Sequence, residues 1–315
     1  MQQYPLPEQD YKVVIYCATY NQRDYIEDAL NGFVKQKTDF PFCAVVIDDC
    51  SDDNQQEIIK EYARRYPEII KPILLEYNHY RQGKNKFKYL RPWVERSEYV
   101  AQCEGDDYWI NENKLQIQVE FMDNHPECSL TYHACKNLYV EGYSGTDIRF
   151  GEKVKEEYTF RELLNSYPFQ TATVLYTSTM WLSELTTNAL SILGCSSVLF
   201  FCASLQGRVI GTNLQWSVYR RNNNGISNKI HQGDKSLKLF NGWIEISKHC
   251  EKKVSKDIHR IIVAQQLYNL SKTSNALFLN CCKAEMGNQP SVVFSVLFRI
   301  LRAQISHIVK RTIRK

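Results

Sequence analysis

Two apolar runs that each end in a cluster of acids constrain this chain more than any other feature in it. Cys43–Ile47 (CAVVI) leads into Asp48-Asp49, and Tyr99–Cys103 (YVAQC) leads into Glu104-Gly105-Asp106-Asp107. Short runs of this kind, apolar without alternation, predict strands buried on both faces, as in a parallel sheet. Lys12–Cys17 (KVVIYC) has the same character, and Ile69–Glu76 predicts a further strand. Segments of helical spacing lie between them. Asp24 offers an N-cap before Ile26, Ala29, Leu30, Phe33 and Val34, and Ser51 offers one before Ile58, Ile59, Tyr62 and Ala63. Another helix is expected from about Lys114 to Asn124. This rhythm predicts an α/β fold: a mostly parallel, doubly wound sheet with helices on both faces and ligands outside the carboxyl ends of its strands.

The second half is less regular. Thr159-x-x-Glu162 is a capping box, Gly194–Gly207 predicts an apolar helix under the site, and Ser236–Asn280 reads as amphipathic helix. Two domains are expected, residues 1–232 carrying the sheet and residues 233–315 forming a helical C-terminal extension. The 11 cysteines include no CxxC pair, so neither a disulfide framework nor a zinc site is expected. Cys17, Cys43 and Cys103 read as small core hydrophobes. The N-terminal MQQYPLPEQD has no basic or apolar leader pattern, and no uncharged apolar run reaches the ~20 residues of a membrane span. A cytoplasmic location is expected, with peripheral contact at the inner face of the cell membrane as an option. The net charge of +4 resides in the tail. Residues 291–315 hold Arg299, Arg302, Lys310, Arg311, Arg314 and Lys315 and no acid, so the rest carries 33 basic against 35 acidic residues. Nucleic acid is therefore not an expected partner of the main body. The tail reads either as a basic amphipathic helix lying on an anionic membrane or as a helix docked on its own domain.

In a parallel sheet the two acidic strand ends converge on one crevice, where their carboxylates repel unless a cation or hydrogen-bond donors offset them. Mg²⁺ or Mn²⁺ needs only one or two carboxylates when substrate phosphates complete its shell. The Glu104-Gly105-Asp106 spacing can supply one, and Gly105 would let a diphosphate approach the backbone closely. The plainer alternative is that the acids cap the helices that follow.

The chain resembles glycosyltransferase family 2, in the bacterial branch that builds surface polysaccharides. The resemblance is carried by VVIYCATYNQRDYIEDAL, QKTDFPFCAVVIDDCSDDN, EGDDYW with the following KLQIQVEFM, and YRRNNNGIS near residue 220, over roughly residues 10–230. It implies a Rossmann-like GT-A fold and a nucleotide-sugar donor. By that resemblance Ala18, Thr19, Tyr20 and Asn21 touch the nucleotide, and Asp48 and Asp49 read the base. Uracil suits a carboxylate reader, because its N3–H can donate to it. Glu104, with Gly105, falls near the ribose, and Asp106 binds Mn²⁺ or Mg²⁺ between the phosphates. Asp107 and Trp109 would shape the donor-sugar side, with Trp109 either stacking on the sugar or serving as a core aromatic. Arg220 or Arg221, before the turn Asn222–Gly225, would offset diphosphate charge. In the loop Asn78–Asn85, Arg81 or Lys84 either contacts a phosphate or base edge or is simply solvated.

Inverting sugar transfer also needs a base for the acceptor hydroxyl. The family's aspartate falls here at Ser196, and no Asp or Glu occurs from Leu185 to Gly233. The resemblance thus implies an inverting glycosyltransferase moving a sugar from a UDP-sugar to a growing surface glycan or polyprenyl-linked acceptor. The alternative is a catalytically impaired donor-binding homologue acting as a scaffold. A nucleotidyltransferase or dehydrogenase would need a Gly-rich loop after the first strand, and no glycine occurs before Gly32.

Overall fold

A computed structural model describes residues 4–143, 151–222, 232–273, 275–288 and 290–300. Eight strands form one sheet: β1 (Tyr11–Thr19), β2 (Phe42–Asp48), β3 (Ile70–Leu74), β4 (Ser97–Gln102), β5 (Tyr108–Trp109), β6 (Cys128–Tyr139), β7 (Leu175–Thr177) and β8 (Arg208–Arg221). Their order is β3-β2-β1-β4-β7-β6-β8-β5. The first four are parallel, β1 pairing with both β2 and β4 and β2 with β3. Val13 to Ile15 and Cys43 to Ile47 are fully buried, which is why these runs do not alternate.

The other half of the sheet is mixed. β7 runs antiparallel to β4 and β6, β8 runs parallel to β6, and β5 runs antiparallel to β8. β6 and β8 have no counterpart in the sequence reading. Their runs CSLTYHACKNLY and RVIGTNLQWSVYRR are half polar, and buried polar residues such as Ser129, Thr131, His133 and Ser217 hide the apolar pattern.

Helices Ile26–Val34, Gln55–Arg65, Lys114–Asn124 and Ser196–Gln206 form where periodicity placed them, but two caps differ. Tyr25 takes the N-cap position expected of Asp24, with no side-chain bond. Asn54, with a left-handed φ of 68°, takes the position expected of Ser51, whose hydroxyl is drawn to Asp48 instead. Thr159 does cap helix Phe160–Asn165, with the Glu162 carboxylate accepting from the Thr159 N–H.

The chain divides into two compact units, Met1–Gly225 and Ile226–Lys315. The second contains helices Gln232–Lys253, Lys256–Thr273 and Asn275–Asn288, followed by helical residues 290–300. Val292, Val293 and Val296 pack into its core with Val263, Leu267 and Leu270. The opposite face leaves Phe294 62% and Phe298 61% exposed. The basic residues from Arg302 onward lie outside the described residues. Among the described residues no helix is long and apolar enough to cross a membrane.

Candidate active site

β1 organises the site because it is the strand between the two acidic ends. Beyond the regular ladder, Asp49 N–H donates to the Thr19 carbonyl at 3.0 Å, and Gly105 N–H donates to the Ala18 carbonyl at 3.2 Å. The Asp48-Asp49 pair and the Glu104–Asp107 turn therefore flank the Ala18-Thr19-Tyr20 segment, at the point where the sheet order reverses. Crevices at such points bind ligands in open α/β sheets.

The two aspartates of the first cluster differ in what they have left to offer. Asp48 is fully buried and accepts from Ser51 N–H (2.9 Å), Ser51 Oγ (2.7 Å), Gln56 Nε2 (2.6 Å) and Gln55 Nε2. A carboxylate has about four lone-pair sites, so Asp48 is saturated. It holds the turn into helix Gln55–Arg65, which replaces its expected role as a base reader. Asp49, 1% exposed, accepts from His79 N–H (2.7 Å), Tyr80 N–H (3.1 Å) and Lys86 Nζ (3.1 Å), leaving one site. Asp49 thus fastens the Asn78–Asn85 loop to the sheet. On that loop, Arg81 lies over the half-buried Tyr20 ring and Lys84 over Tyr77.

The second cluster is crowded. Glu104 accepts from Thr171 Oγ1 and from Gln102 Nε2 (3.0 Å), and burial, reinforced by the Asp106 charge, pushes its carboxyl up to about 7. Asp107 is buried and accepts from the Arg220 N–H (2.8 Å) and Gln170 Nε2; burial, then the charges of Asp106 and Glu104, hold its carboxyl well above the usual range. Asp106 is partly buried, its carboxyl raised by burial despite hydrogen bonds from Asn222 (3.2 Å) and Gln22. Three carboxyls in four residues thus bind protons more tightly than usual, chiefly because burial disfavours their charged form.

Gly105 has a different reason for being glycine than close approach of a diphosphate. A Cβ there would stand 2.7 Å from Thr19 Cβ and from Gln22 Oε1, so the turn is packed directly on the first loop.

Trp109 is 4% exposed. Its Nε1 donates to the Ala172 carbonyl at 2.8 Å, its ring meets Phe33 edge-on at 5.1 Å, and Lys114 Nζ lies 4.1 Å from the ring centre. It is therefore the core aromatic of the two alternatives. Asp107, equally buried, is a staple and no part of a sugar-facing surface. Lys114 is itself buried, donating to Gln118 Oε1 at 2.6 Å, and burial pushes its ammonium down to about 7.

Arg220 also faces inward. β8 pairs with β5 through Val218 and Tyr108, which sets Arg220 beside the acidic turn. Its Nη1 donates to the Asp106 carbonyl at 2.9 Å and its Nη2 to Asp28 Oδ2 at 2.6 Å, so it does not stand open to a diphosphate. Arg221 donates to the Tyr219 hydroxyl at 3.2 Å. Residues 223–225 of the expected Asn-rich turn lie outside the described residues.

No sequence pattern marks the segment Gln170–Thr173 as part of the site. Gln170 holds Asp107, Thr171 holds Glu104, the Ala172 carbonyl receives Trp109, and the Thr173 carbonyl receives Gln118 (3.0 Å). Its small polar residues resemble any loop, and their partners lie some sixty residues away in the chain. Ser196 opens its helix and bonds to the Tyr167 hydroxyl, which also meets Thr171. Two hydroxyls therefore connect Ser196 to Glu104.

Among the described residues no group of three or more His, Cys, Asp or Glu side chains is arranged to hold a metal by itself. Asp106 nevertheless fits a hard cation that draws its other ligands from phosphates and water, since its carboxylate has oxygen capacity left beside Glu104 and Asp107.

Residues 14–185, more than half of the chain, match the family described as Glycosyl transferase family 2. The chain belongs to that family. A 129-residue stretch is 43% identical to an uncharacterized protein of Mycobacterium tuberculosis (strain ATCC 25618 / H37Rv), covering 41% of this chain and 36% of the relative. Poly(ribitol-phosphate) beta-N-acetylglucosaminyltransferase TarS of Staphylococcus aureus (strain MW2) is 35% identical over 117 residues, 36% of this chain and 19% of TarS. The putative teichuronic acid biosynthesis glycosyltransferase TuaG of Bacillus subtilis (strain 168) is 34% identical over 113 residues, 35% of this chain and 41% of TuaG. The matches thus span less than half the length of these relatives. The crystal structure of S. aureus TarS 1–349 in complex with UDP-GlcNAc superposes with a TM-score of 0.60 at 21% identity, covering 84% of this chain and 74% of that one. The fold is therefore GT-A.

Proposed function

We propose that this chain is an inverting, metal-dependent glycosyltransferase that moves a sugar from a UDP-sugar to a growing surface glycan or polyprenyl-linked acceptor. One observation carries the reading: two acidic strand ends flank the Tyr20 segment at the switch point, and Asp106 keeps oxygen capacity beside Glu104 and Asp107. The name of TarS and its complex with UDP-GlcNAc support a UDP-sugar donor, and the names of TarS and TuaG support a cell-surface acceptor. Tyr20 would lie against the base, Asp49 would use its remaining lone pair on the uracil N3–H, and Glu104 would meet the ribose. Asp106 would hold Mn²⁺ or Mg²⁺, whose chemistry is to neutralise the departing diphosphate. The acceptor oxygen attacks the anomeric carbon as the bond to the β-phosphate breaks, and its proton passes to a base.

UDP with Mn²⁺ is expected to raise the melting temperature, by about 2.7 kcal/mol of stabilisation at a hundredfold excess over the dissociation constant. Asp106→Ala is expected to abolish the shift. A shift in the wild type that survives in Asp106→Ala would rule out Asp106 as the metal ligand, and no wild-type shift would sink the donor site.

Ser196 favours a second reading, a donor-binding scaffold that has lost its base. A serine hydroxyl is a poor base near neutral pH, and the bond to Tyr167 does nothing to change that. Turnover of a UDP-sugar panel separates the two. A wild type that transfers sugar, with no gain in Ser196→Asp, supports a base elsewhere; a silent wild type that gains activity in Ser196→Asp supports the scaffold.

The exposed face of residues 290–300 supports peripheral contact with an anionic membrane, given the basic residues that follow in sequence. Phe294→Ser with Phe298→Ser is expected to reduce co-sedimentation with phosphatidylglycerol vesicles several-fold, by loss of inserted apolar surface. Equal sedimentation of the wild type and this variant would remove the contact.

A further inference from the structure

We infer that Arg220 is a positioning residue that fixes the Asp106 turn for donor binding, and that it does not act on the diphosphate; this rests on the donor-site reading above. The guanidinium is enclosed, with the residue 6% exposed. It lies 4.6 Å from the centre of the Tyr25 ring and 5.1 Å from that of Tyr108. Asp28, in the first turn of helix Ile26–Val34, supplies its countercharge. From this seat it grips the Asp106 carbonyl, its own backbone N–H holds the Asp107 carboxylate, and Asn222, two residues on, holds the Asp106 carboxylate. The end of β8 thus secures the acidic turn at three points and joins it to the helix that follows the Tyr20 segment.

Only arginine suits this seat. Its planar fork can bond Asp28 and the Asp106 carbonyl at once while stacking on aromatic rings. A lysine ammonium keeps the charge but is a point donor, so the carbonyl or Asp28 loses its partner. The turn then drifts, and the Asp106 carboxylate with it.

The test is Arg220→Lys in the full chain, read three ways. Far-UV circular dichroism and the melting curve report folding. The UDP–Mn²⁺ thermal titration reports donor-side affinity, and steady-state kinetics report KM and kcat separately. The donor KM and the UDP–Mn²⁺ dissociation constant are both expected to rise about 10- to 100-fold, with kcat within about threefold, because a misplaced turn weakens ground and transition states alike. Asp28→Asn, at a half-exposed side chain, is expected to move both constants the same way by a smaller factor; it carries the test if Arg220→Lys fails to fold. A fall in kcat at unchanged KM would place the guanidinium on the leaving group and overturn the inference. So would unaltered UDP–Mn²⁺ affinity in the variant beside a binding wild type. A wild type that binds no UDP–Mn²⁺ instead brings down the donor-site reading, and this inference with it.

Discussion

Gly105→Ala is expected to lower UDP–Mn²⁺ affinity and kcat/KM about 100-fold, because displacing a binding group by an ångström has effects of that order. The new methyl would stand 2.7 Å from Thr19 Cβ, and Thr19, buried in β1, has nowhere to go. Gln22 can swing aside, but its amide then leaves both Thr19 and Asp106. The turn must therefore lift, carrying Asp106 away from the Tyr20 segment. Overpacking of this kind costs about 1–3 kcal/mol, so a moderate fall in melting temperature is expected alongside the loss of affinity. Differential scanning fluorimetry with and without UDP and Mn²⁺ measures both effects. A variant that melts and binds like the wild type would mean that the contact between the two loops does not set the site.

Trp109→Ala is expected to produce the largest loss of stability, about 3–5 kcal/mol, the usual cost of deleting a buried large aromatic. The change removes packing on Phe33, leaves the Ala172 carbonyl without its donor and takes the ring from beside the Lys114 ammonium. For a unit of this size each kcal/mol shifts the melting temperature by about 2–4 °C, so a fall of roughly 10 °C is expected. Trp109→Phe should recover part of it, since an aromatic ring is restored without the indole N–H. The sugar-platform reading makes the opposite forecast: an unchanged melt and a raised donor KM. A melting curve decides between them.

These two positions show how far the sequence could be read. Gly105 and Trp109 both belong to the acidic strand-end motif, yet the physical duty of each is packing. The same holds for Asp48, which is saturated by Ser51, Gln55 and Gln56, and for Asp107, held between Gln170 and the Arg220 backbone. A motif gives the residue type and its place at the end of a strand. Whether a side chain faces the crevice or the core depends on which distant segments arrive beside it.

What the amino-acid order settled by itself was the parallel half of the sheet and the position of its acids. Runs such as CAVVI, apolar without alternation and bounded by turn residues, suit strands buried on both faces, and the turns after such parallel strands open on the ligand side. What tertiary structure alone decided was the division of labour among those acids. Asp48 is saturated by Ser51, Gln55 and Gln56, Asp49 keeps one lone pair beside His79, Tyr80 and Lys86, and Arg220 turns its fork inward to Asp28, whereas Glu104 and Asp107 are held by Thr171, Gln170 and the end of β8. β8 and Gln170–Thr173 are half-polar stretches with no periodic pattern, because their side chains satisfy buried hydrogen bonds and build little of the apolar core.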